Sequence, residues 1–195
     1  MARYNSYQEL LKILRNINGI QPDFVISFSG LNDAVYSNYN YPYYAPHTQA
    51  IYEGFVNNID KYCLPLSYGL RSSKEPRELW IKNMKYIFEI LKFNQVDFLA
   101  FIQPFIISEE YEMDYEEKYL INAETEILKC LELERDFLCN IKSQINDIEF
   151  IKDISDCFKG KKGLFRDQYH VYEEGNAIIA EHIYNEIIAR FNYCA

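Results

Sequence analysis

Asp167 and His170 have the residue types and the spacing of an acid–base pair. They lie three residues apart in a polar segment, and apolar residues at helical spacing follow from about Glu174. A turn at this spacing can bring the carboxylate to one imidazole nitrogen and leave the other nitrogen as a general base. Because Asp-x-x-His is common by chance, the pair gains weight only from the glycine and the helical pattern that follow it.

A second polar segment, Gly30 to Asp33, follows the apolar run from Phe24 to Phe28. In an open parallel sheet, ligands bind beyond the carboxyl ends of the strands. Gly30 permits a tight turn there, and the Asn32 amide could donate to a developing oxyanion, a donor worth ~3–4 kcal/mol in enzymes that use one. Asn, Asp and Gly also favour turns of any kind, so an ordinary strand exit remains an alternative.

Helical spacings and short apolar runs alternate along the chain. They predict, in order, a helix at 6–18, a strand at 24–28, a helix around 80–91, a strand at 96–102, a long helix at 115–146, a strand at 148–154 and a helix at 174–191. This alternation predicts an α/β fold whose parallel sheet is covered by helices on both faces. The length of the chain suits a single domain over residues 1–195.

Residues 34–75 interrupt the alternation with a region rich in Tyr, Asn, Ser and Pro. We expect a long irregular excursion with one helical piece at 48–62. Loops of this length in compact domains are usually functional or poorly ordered. Five tyrosines in it could form a platform for a sugar ring, or could equally fill the space between the loop and the sheet: Tyr36, Tyr39, Tyr41, Tyr43 and Tyr44.

The formal net charge of −9 at pH 7 argues against a nucleic acid or an anionic membrane as partner, since binding phosphates needs a positive patch. No apolar run approaches the ~20 residues that span a bilayer. The N-terminus leads directly into a helical pattern without the core of a signal peptide, so we expect a cytoplasmic chain. The six carboxylates between Glu109 and Glu117 are interpreted as a solvated helix start.

The five cysteines are scattered and form no Cys-x-x-Cys pair, which predicts reduced thiols. None of the three histidines, His47, His170 and His182, lies at ligand spacing to a cysteine, so we expect no metal site. His182 falls within the last predicted helix, where a packing or surface role is the simplest interpretation.

Taken in their order along the chain, the two polar segments resemble the third and fifth motif blocks of the SGNH/GDSL hydrolases, a family of serine esterases and acyl hydrolases. The segment Phe98 to Pro104 also looks like a strand of SGNH-type proteins associated with bacterial surface polysaccharides. The resemblance implies a flavodoxin-like three-layer α/β/α fold, no cofactor, and a small-molecule or glycan ester as substrate. It would make His170 the base, Asp167 its orienting partner, Asn32 an oxyanion donor, and Gly30 the support of that donor.

The block that carries the nucleophilic serine in that family is absent from this sequence. None of the seven glycines is followed by Asp-Ser or Gly-Ser, and no Gly-x-Ser-x-Gly elbow occurs. Ser27 and Ser29 flank the end of the first strand, but the family places its serine on an earlier strand, so the nucleophile stays unassigned. We therefore expect the C-terminal two-thirds of a family domain, incomplete at its N-terminal strands and a poor esterase alone.

Without the neighbouring strand of the family's sheet, the strand at 24–28 would have unpaired backbone groups along one edge. Such an edge invites self-association or pairing with a separate N-terminal segment. Two other functions remain open: a non-catalytic relative that binds a ligand, and a sugar O-acyltransferase on the same scaffold. Ester hydrolysis by the purified chain would test the first, and product analysis with a sugar acceptor present would test the second.

Overall fold

The computed structural model describes residues 4–38, 76–108, 111–122 and 125–192. Within these residues the elements are α1 (Ser6–Ile20), β1 (Phe24–Ser29), α2 (Leu31–Asn38), α3 (Pro76–Phe93), β2 (Asp97–Ile102), α4 (Tyr115–Asn122), α5 (Thr125–Lys142), β3 (Ile151–Asp153) and α6 (Glu173–Asn192). The protein therefore has an α/β fold, which confirms the class that the alternating pattern predicts.

The three described strands form one parallel sheet in the order β1-β2-β3. The register of β1 on β2 runs from Phe24 opposite Asp97 to Ser29 opposite Ile102. The carboxyl ends of the strands consequently lie at one end of the sheet. Within the described part of the chain, β1 pairs on one side only and forms an edge of the sheet.

Helices contact both faces of this sheet. On one face, Ser27 of β1 donates a hydrogen bond to Glu9 of α1 at 2.7 Å, and α1 packs against α3. On the other face, Phe24 of β1 packs against Phe191 of α6 with the ring centroids 5.7 Å apart. This layering is the one that alternating helices and parallel strands produce.

The ends of α1 follow directly from its sequence. The Asn5 side chain accepts from the N–H of Gln8 at 3.1 Å, and the Gln8 side chain accepts from the N–H of Asn5 at 3.1 Å, which makes a reciprocal capping box. At the other end, Gln21 adopts a left-handed φ of 49° and donates to the carbonyl of Ile17 at 3.0 Å. A left-handed residue in this place ends a helix.

The helical region predicted over 115–146 ends earlier in the structure, at Lys142. Its described parts are α4 and α5, and residues 123–124 between them lie outside the described residues. α5 ends at Lys142, because the side chains of Ser143 and Gln144 both donate to the carbonyl of Asn140, at 2.8 and 3.2 Å. Side chains that compete for backbone acceptors in this way end helices.

Two further boundaries differ from the prediction. β3 covers Ile151–Asp153 only, which is shorter than the predicted 148–154. The irregular region begins later than residue 34, because α2 continues to Asn38. The helical piece predicted at 48–62 lies outside the described residues.

The core is centred on β2, where every residue from Phe98 to Ile102 is buried. Trp80 and Met84 of α3 are fully buried against it. Among the described helices, none combines the length and the apolar composition that crossing a membrane requires.

Candidate active site at the loop before the last helix

Residues 164–172 form a closed loop at the N-terminus of α6. An isolated antiparallel bridge joins Phe165 to Val171 at the neck of the loop. Inside the neck, the N–H of Arg166 donates to the carbonyl of His170 at 2.8 Å. The loop is thus closed by its own backbone, and the side chains between these pairs are held at its tip.

Asp167 and His170 are in direct contact at this tip. Nδ1 of His170 lies 2.9 Å from both carboxylate oxygens of Asp167. Oδ1 of Asp167 also accepts from the backbone N–H groups of Tyr169, at 2.9 Å, and His170, at 2.8 Å. The contact that the three-residue spacing predicts is therefore present, and a turn organised by the aspartate produces it.

The pKa of Asp167 lies below its ordinary value. Partial burial acts to raise this pKa, but hydrogen bonds from the N–H groups of Tyr169 and His170 and from the His170 imidazole outweigh that effect. The carboxylate is therefore ionised at neutral pH, and a charge in this position stabilises an imidazolium beside it.

The imidazole of His170 is accessible from solvent. Its side chain is 66% exposed, and its hydrogen bonds to Asp167 are made through Nδ1. No hydrogen bond reaches Nε2 within the described ranges. An imidazole held through one nitrogen with the other nitrogen open can accept a proton from a bound reactant.

Gly175, in the first turn of α6, lets the helix approach the loop. A Cβ atom at this position would lie 2.8 Å from the Cβ of Val171 and 3.4 Å from the ring of Phe158. Any side chain here would force the loop and the helix apart. The glycine that follows Asp-x-x-His in the sequence thus has a physical role in placing the loop.

Gly30 joins β1 to α2 and caps that helix. Its carbonyl accepts from the N–H of Ala34 at 2.9 Å, and its φ is +109°, a conformation that residues with side chains rarely adopt. An added Cβ would be 3.5 Å from the side chain of Leu138, which is ordinary contact. Gly30 is therefore required by backbone conformation and not by lack of space.

Asn32 and Asp33 both bind the start of α1. The half-buried Asn32 donates through its amide to the carbonyl of Tyr4 at 2.8 Å, and the second hydrogen of that amide has no acceptor among the described residues. Asp33 is fully buried and accepts from the N–H and the hydroxyl of Ser6, at 3.0 and 2.5 Å. Within the described ranges, no hydrogen bond joins Asn32 to His170.

α5 brings the Gly30 segment and the His170 loop to neighbouring positions. The Cβ position of Gly30 is 3.5 Å from Leu138 of α5, and the hydroxyl of Tyr169 donates to Glu134 of α5 at 3.4 Å. Residues four apart lie on one face of a helix, about 6 Å apart along its axis. The two segments thus approach successive turns of the same helix.

A polar cluster that the sequence analysis missed lies between α1 and β1. The hydroxyl of Ser27 donates to Glu9 at 2.7 Å, the Ser27 and Ser29 hydroxyl oxygens are 3.1 Å apart, and the indole N–H of Trp80 donates to Ser29 at 3.3 Å. Burial raises the pKa of Glu9 to about 7. Both serines are buried, at 7% and 4% exposure.

The sequence carried a weak signal for this cluster. Glu9 lies four residues before Ile13 and therefore falls on the apolar face of α1. A charged residue on the buried face of a helix needs a polar partner, which β1 supplies 18 positions away through Ser27.

The acidic run is a helix start, but its interpretation as solvated is wrong for one member. α4 begins at Tyr115, inside the run, and Glu117 is only 2% exposed. The N–H of Glu117 donates to Asp114 at 2.9 Å, and the N–H of Asp114 donates to Glu117 at 2.9 Å. The Asp-x-x-Glu spacing of this reciprocal cap was visible in the sequence.

Other candidate residues contribute nothing to the described site. His182 is exposed on α6. Cys139 and Cys157 are free thiols. No group of three His, Cys, Asp or Glu side chains that could hold a metal ion occurs in the part of the chain that the structure describes. The candidates outside that part are His47, Cys63, Cys194, Tyr39, Tyr41, Tyr43 and Tyr44, and the side chain of Tyr36 is also undescribed.

Comparisons of this chain with protein-family models, with curated proteins and with solved structures find no match.

Proposed function

We propose that this chain supplies the acid–base pair and an oxyanion donor of an SGNH/GDSL-type serine ester hydrolase with a flavodoxin-like fold. The observation that carries the proposal is the contact between Asp167 and His170, which orients one imidazole nitrogen and leaves Nε2 open to solvent. The position of this pair, immediately before the last helix of a parallel α/β fold, supports the same assignment.

The reaction follows from the roles of three side chains. Nε2 of His170 accepts the proton of a serine hydroxyl while that oxygen attacks the ester carbonyl. Asp167 stabilises the resulting imidazolium, and the second amide hydrogen of Asn32 donates to the carbonyl oxygen as it becomes negative. His170 then returns the proton to the leaving alcohol, and a water molecule releases the acyl group by the same steps.

By the resemblance, the attacking serine belongs to a nucleophile block that this sequence lacks. Ser27 and Ser29 are buried, and Ser27 donates to the carboxyl group of Glu9. β1 offers a place for an added strand, because α1 and β1 enclose a cavity of about 420 Å³ that is lined by the consecutive strand residues 24–27. A cavity that borders consecutive residues runs along the edge of a strand, where a peptide can pair with it.

The substrate is a small-molecule or glycan ester, and no cofactor takes part. A base that is 66% exposed at the tip of a loop suits an acyl group carried on the outside of a larger molecule, such as an acylated sugar chain. A deeply enclosed base would instead favour a small substrate that is surrounded by the protein.

The proposal is tested by hydrolysis of an aryl acetate. The chain is assayed alone and with a Gly-Asp-Ser-containing segment fused before Met1 or added as a peptide. We expect slow hydrolysis by the chain alone, and a rise of about 100-fold or more when the segment is present, because a triad needs its nucleophile. His170→Ala should abolish the rise, and His182→Ala, which changes an exposed histidine on α6, should preserve it.

Two results would contradict the proposal. The first is rapid, saturable hydrolysis by the chain alone that survives replacement of both Ser27 and Ser29. The second is a segment-dependent rise that His170→Ala leaves unchanged.

A further inference from the structure

A buried carboxylate lies behind the His170 loop. Glu117 is 2% exposed, although it belongs to a helix whose neighbouring acidic residue, Glu116, is exposed. Oε1 of Glu117 accepts from the N–H of Phe165 at 2.8 Å, and Oε2 accepts from the N–H of Gly163 at 3.2 Å. The carboxylate thus binds the backbone that leads into the loop, 46 and 48 residues further along the chain.

Tyr111 completes this attachment. Its hydroxyl donates to Glu117 at 2.5 Å and accepts from the N–H of Leu164 at 2.9 Å. Three successive N–H groups, those of residues 163–165, therefore point to one carboxylate and one hydroxyl. Successive backbone N–H groups that converge in this way form an anion-binding concavity, and here an anion of the protein itself occupies it.

The backbone that Glu117 binds lies close in sequence to Asp167 and His170. Phe165 is the residue at the neck of the loop, where it bridges to Val171. Its ring also packs edge-on against Tyr111 with the centroids 5.1 Å apart. Only one residue, Arg166, separates Phe165 from Asp167 in sequence.

We propose that Glu117, together with Tyr111, is a positioning residue that fixes the loop in the conformation in which Asp167 binds the His170 imidazole. This inference rests on the proposed function for its catalytic meaning, but the geometry that it concerns can be measured without turnover. Glu117 touches neither His170 nor a substrate. It acts only by holding the backbone of residues 163–165.

The experiment compares Glu117→Gln with Glu116→Gln in the full chain. Both variants remove one negative charge from the first turn of α4, but only the first replaces a buried acceptor oxygen with an NH2 group, which cannot accept from the N–H groups of residues 163–165. Amide hydrogen exchange of residues 163–165 and the pKa of the Asp167 carboxyl group, followed by NMR, are the two readouts. Tyr111→Phe, which removes one hydroxyl and keeps the ring, serves if Glu117→Gln fails to fold.

The two possible causes of a change move the pKa of Asp167 in opposite directions. Removal of a nearby negative charge alone lowers this pKa. Release of the loop raises it towards the ordinary value, because the bonds from the N–H groups of Tyr169 and His170 that lower it are weakened. We expect exchange at Phe165 to be about 10-fold faster or more in Glu117→Gln, with a raised pKa of Asp167, and neither change in Glu116→Gln.

The inference is overturned if exchange becomes faster while the pKa of Asp167 stays constant or falls, because Glu117 would then be only a structural anchor. It is equally overturned if exchange at residues 163–165 does not change. Neither readout depends on catalysis, so an absence of esterase activity would contradict the proposed function and would leave this inference standing.

Discussion

At the scale of single residues, Asp167 makes the most polar contacts in the candidate site. Its pKa is lowered in the folded protein, so its contribution to stability is present above the ordinary aspartate pKa of ~4 and is lost as the pH falls through the lowered value. Asp167→Asn should lower the free energy of unfolding by about 1 kcal/mol at pH 7, a small figure because solvent screens a side chain that is 36% exposed.

Denaturant unfolding at several pH values tests this prediction. The difference between wild type and Asp167→Asn should shrink below pH ~4. Asp136→Asn, on the exposed face of α5 with a side chain that is 64% exposed, is the matched control and should have little effect at any pH. A difference that grows on acidification would contradict the assigned role of Asp167.

Glu9 should show the opposite pH dependence. Burial raises its pKa from 4.5 to about 7, so its favourable contribution is complete below pH 4.5 and is lost as the pH rises to about 7. Glu9→Gln keeps a partner for Ser27 and removes the charge. We therefore compare the free energy of unfolding of Glu9→Gln with that of wild type at two pH values. This difference should be on the order of 2–3 kcal/mol more in favour of the variant above pH 7 than at pH 4.5.

Thermal melting of Glu9→Gln at pH 4.5 and pH 8 measures this effect. Glu181→Gln, which changes an exposed carboxylate on α6, should melt like wild type at both pH values. A Glu9→Gln protein that is less stable than wild type at pH 8 would show that the ionised carboxylate is favourable in the fold.

Spacing along the chain predicted the contact between Asp167 and His170, because a three-residue turn closes it locally. The roles of Glu9 and Glu117 depend on partners far away in sequence, at Ser27 and at residues 163–165. Local patterns placed Glu9 on the apolar face of α1 and Glu117 in a helix cap, but they did not indicate these distant partners. Which segment packs against each carboxylate is decided by tertiary structure, which local spacing does not contain.

At the scale of elements, the junction between β1 and α2 depends on a glycine. Gly30→Ala should lower the free energy of unfolding by about 1–2 kcal/mol, because φ at this position is +109°. Gly19→Ala is the matched control, since Gly19 lies within α1 and an added Cβ meets nothing within 4 Å.

Chemical denaturation should show changes of opposite sign in the free energy of unfolding for the two alanine variants. Gly19→Ala should stabilise the protein by about 0.5–1 kcal/mol, because alanine has the higher helix propensity. If Gly30→Ala were as stable as wild type, the conformation assigned to the junction would be incorrect.

The existence of most helices and strands could be predicted, because apolar spacing differs between buried strands and amphipathic helices. The end of α5 at Lys142 could not, because apolar residues continue at helical spacing as far as Ile145. α2 was missed for another reason: Asn, Asp and Gly indicate a turn, whereas here Gly30 caps a helix.

At the scale of the whole molecule, β1, which pairs on one side only within the described residues, should promote association through its other edge. Two of its apolar side chains are exposed, Ile26 at 45% and Phe28 at 38%. Ile26→Lys should reduce concentration-dependent association in light scattering, because charges on an edge strand oppose strand pairing. Leu14→Lys, at a position on α1 that is 53% exposed, is the control and should associate like wild type.

Association that is equal in wild type, Ile26→Lys and Leu14→Lys would place the contact elsewhere on the molecule. A wild type that stays monomeric at every concentration would show that the edge of β1 does not promote association.

The parallel order of the sheet followed from the alternation of helices and strands, but the position of β1 at its edge did not. Sequence patterns contain no information on which strands pair. The expectation of an open edge came from the resemblance to a family whose sheet has another strand beside this one. In the described part of the chain, β1 does pair on one side only.

Covalent labelling with a fluorophosphonate, read by intact mass spectrometry, tests most directly whether this chain supplies the base and not the nucleophile. The reagent reacts readily with a serine that an adjacent base activates. We predict no adduct on the chain alone, and an adduct on the serine of an added Gly-Asp-Ser-containing segment that disappears in His170→Ala. An adduct on Ser27 or Ser29, or one on the added segment that forms equally well without His170, would contradict the account.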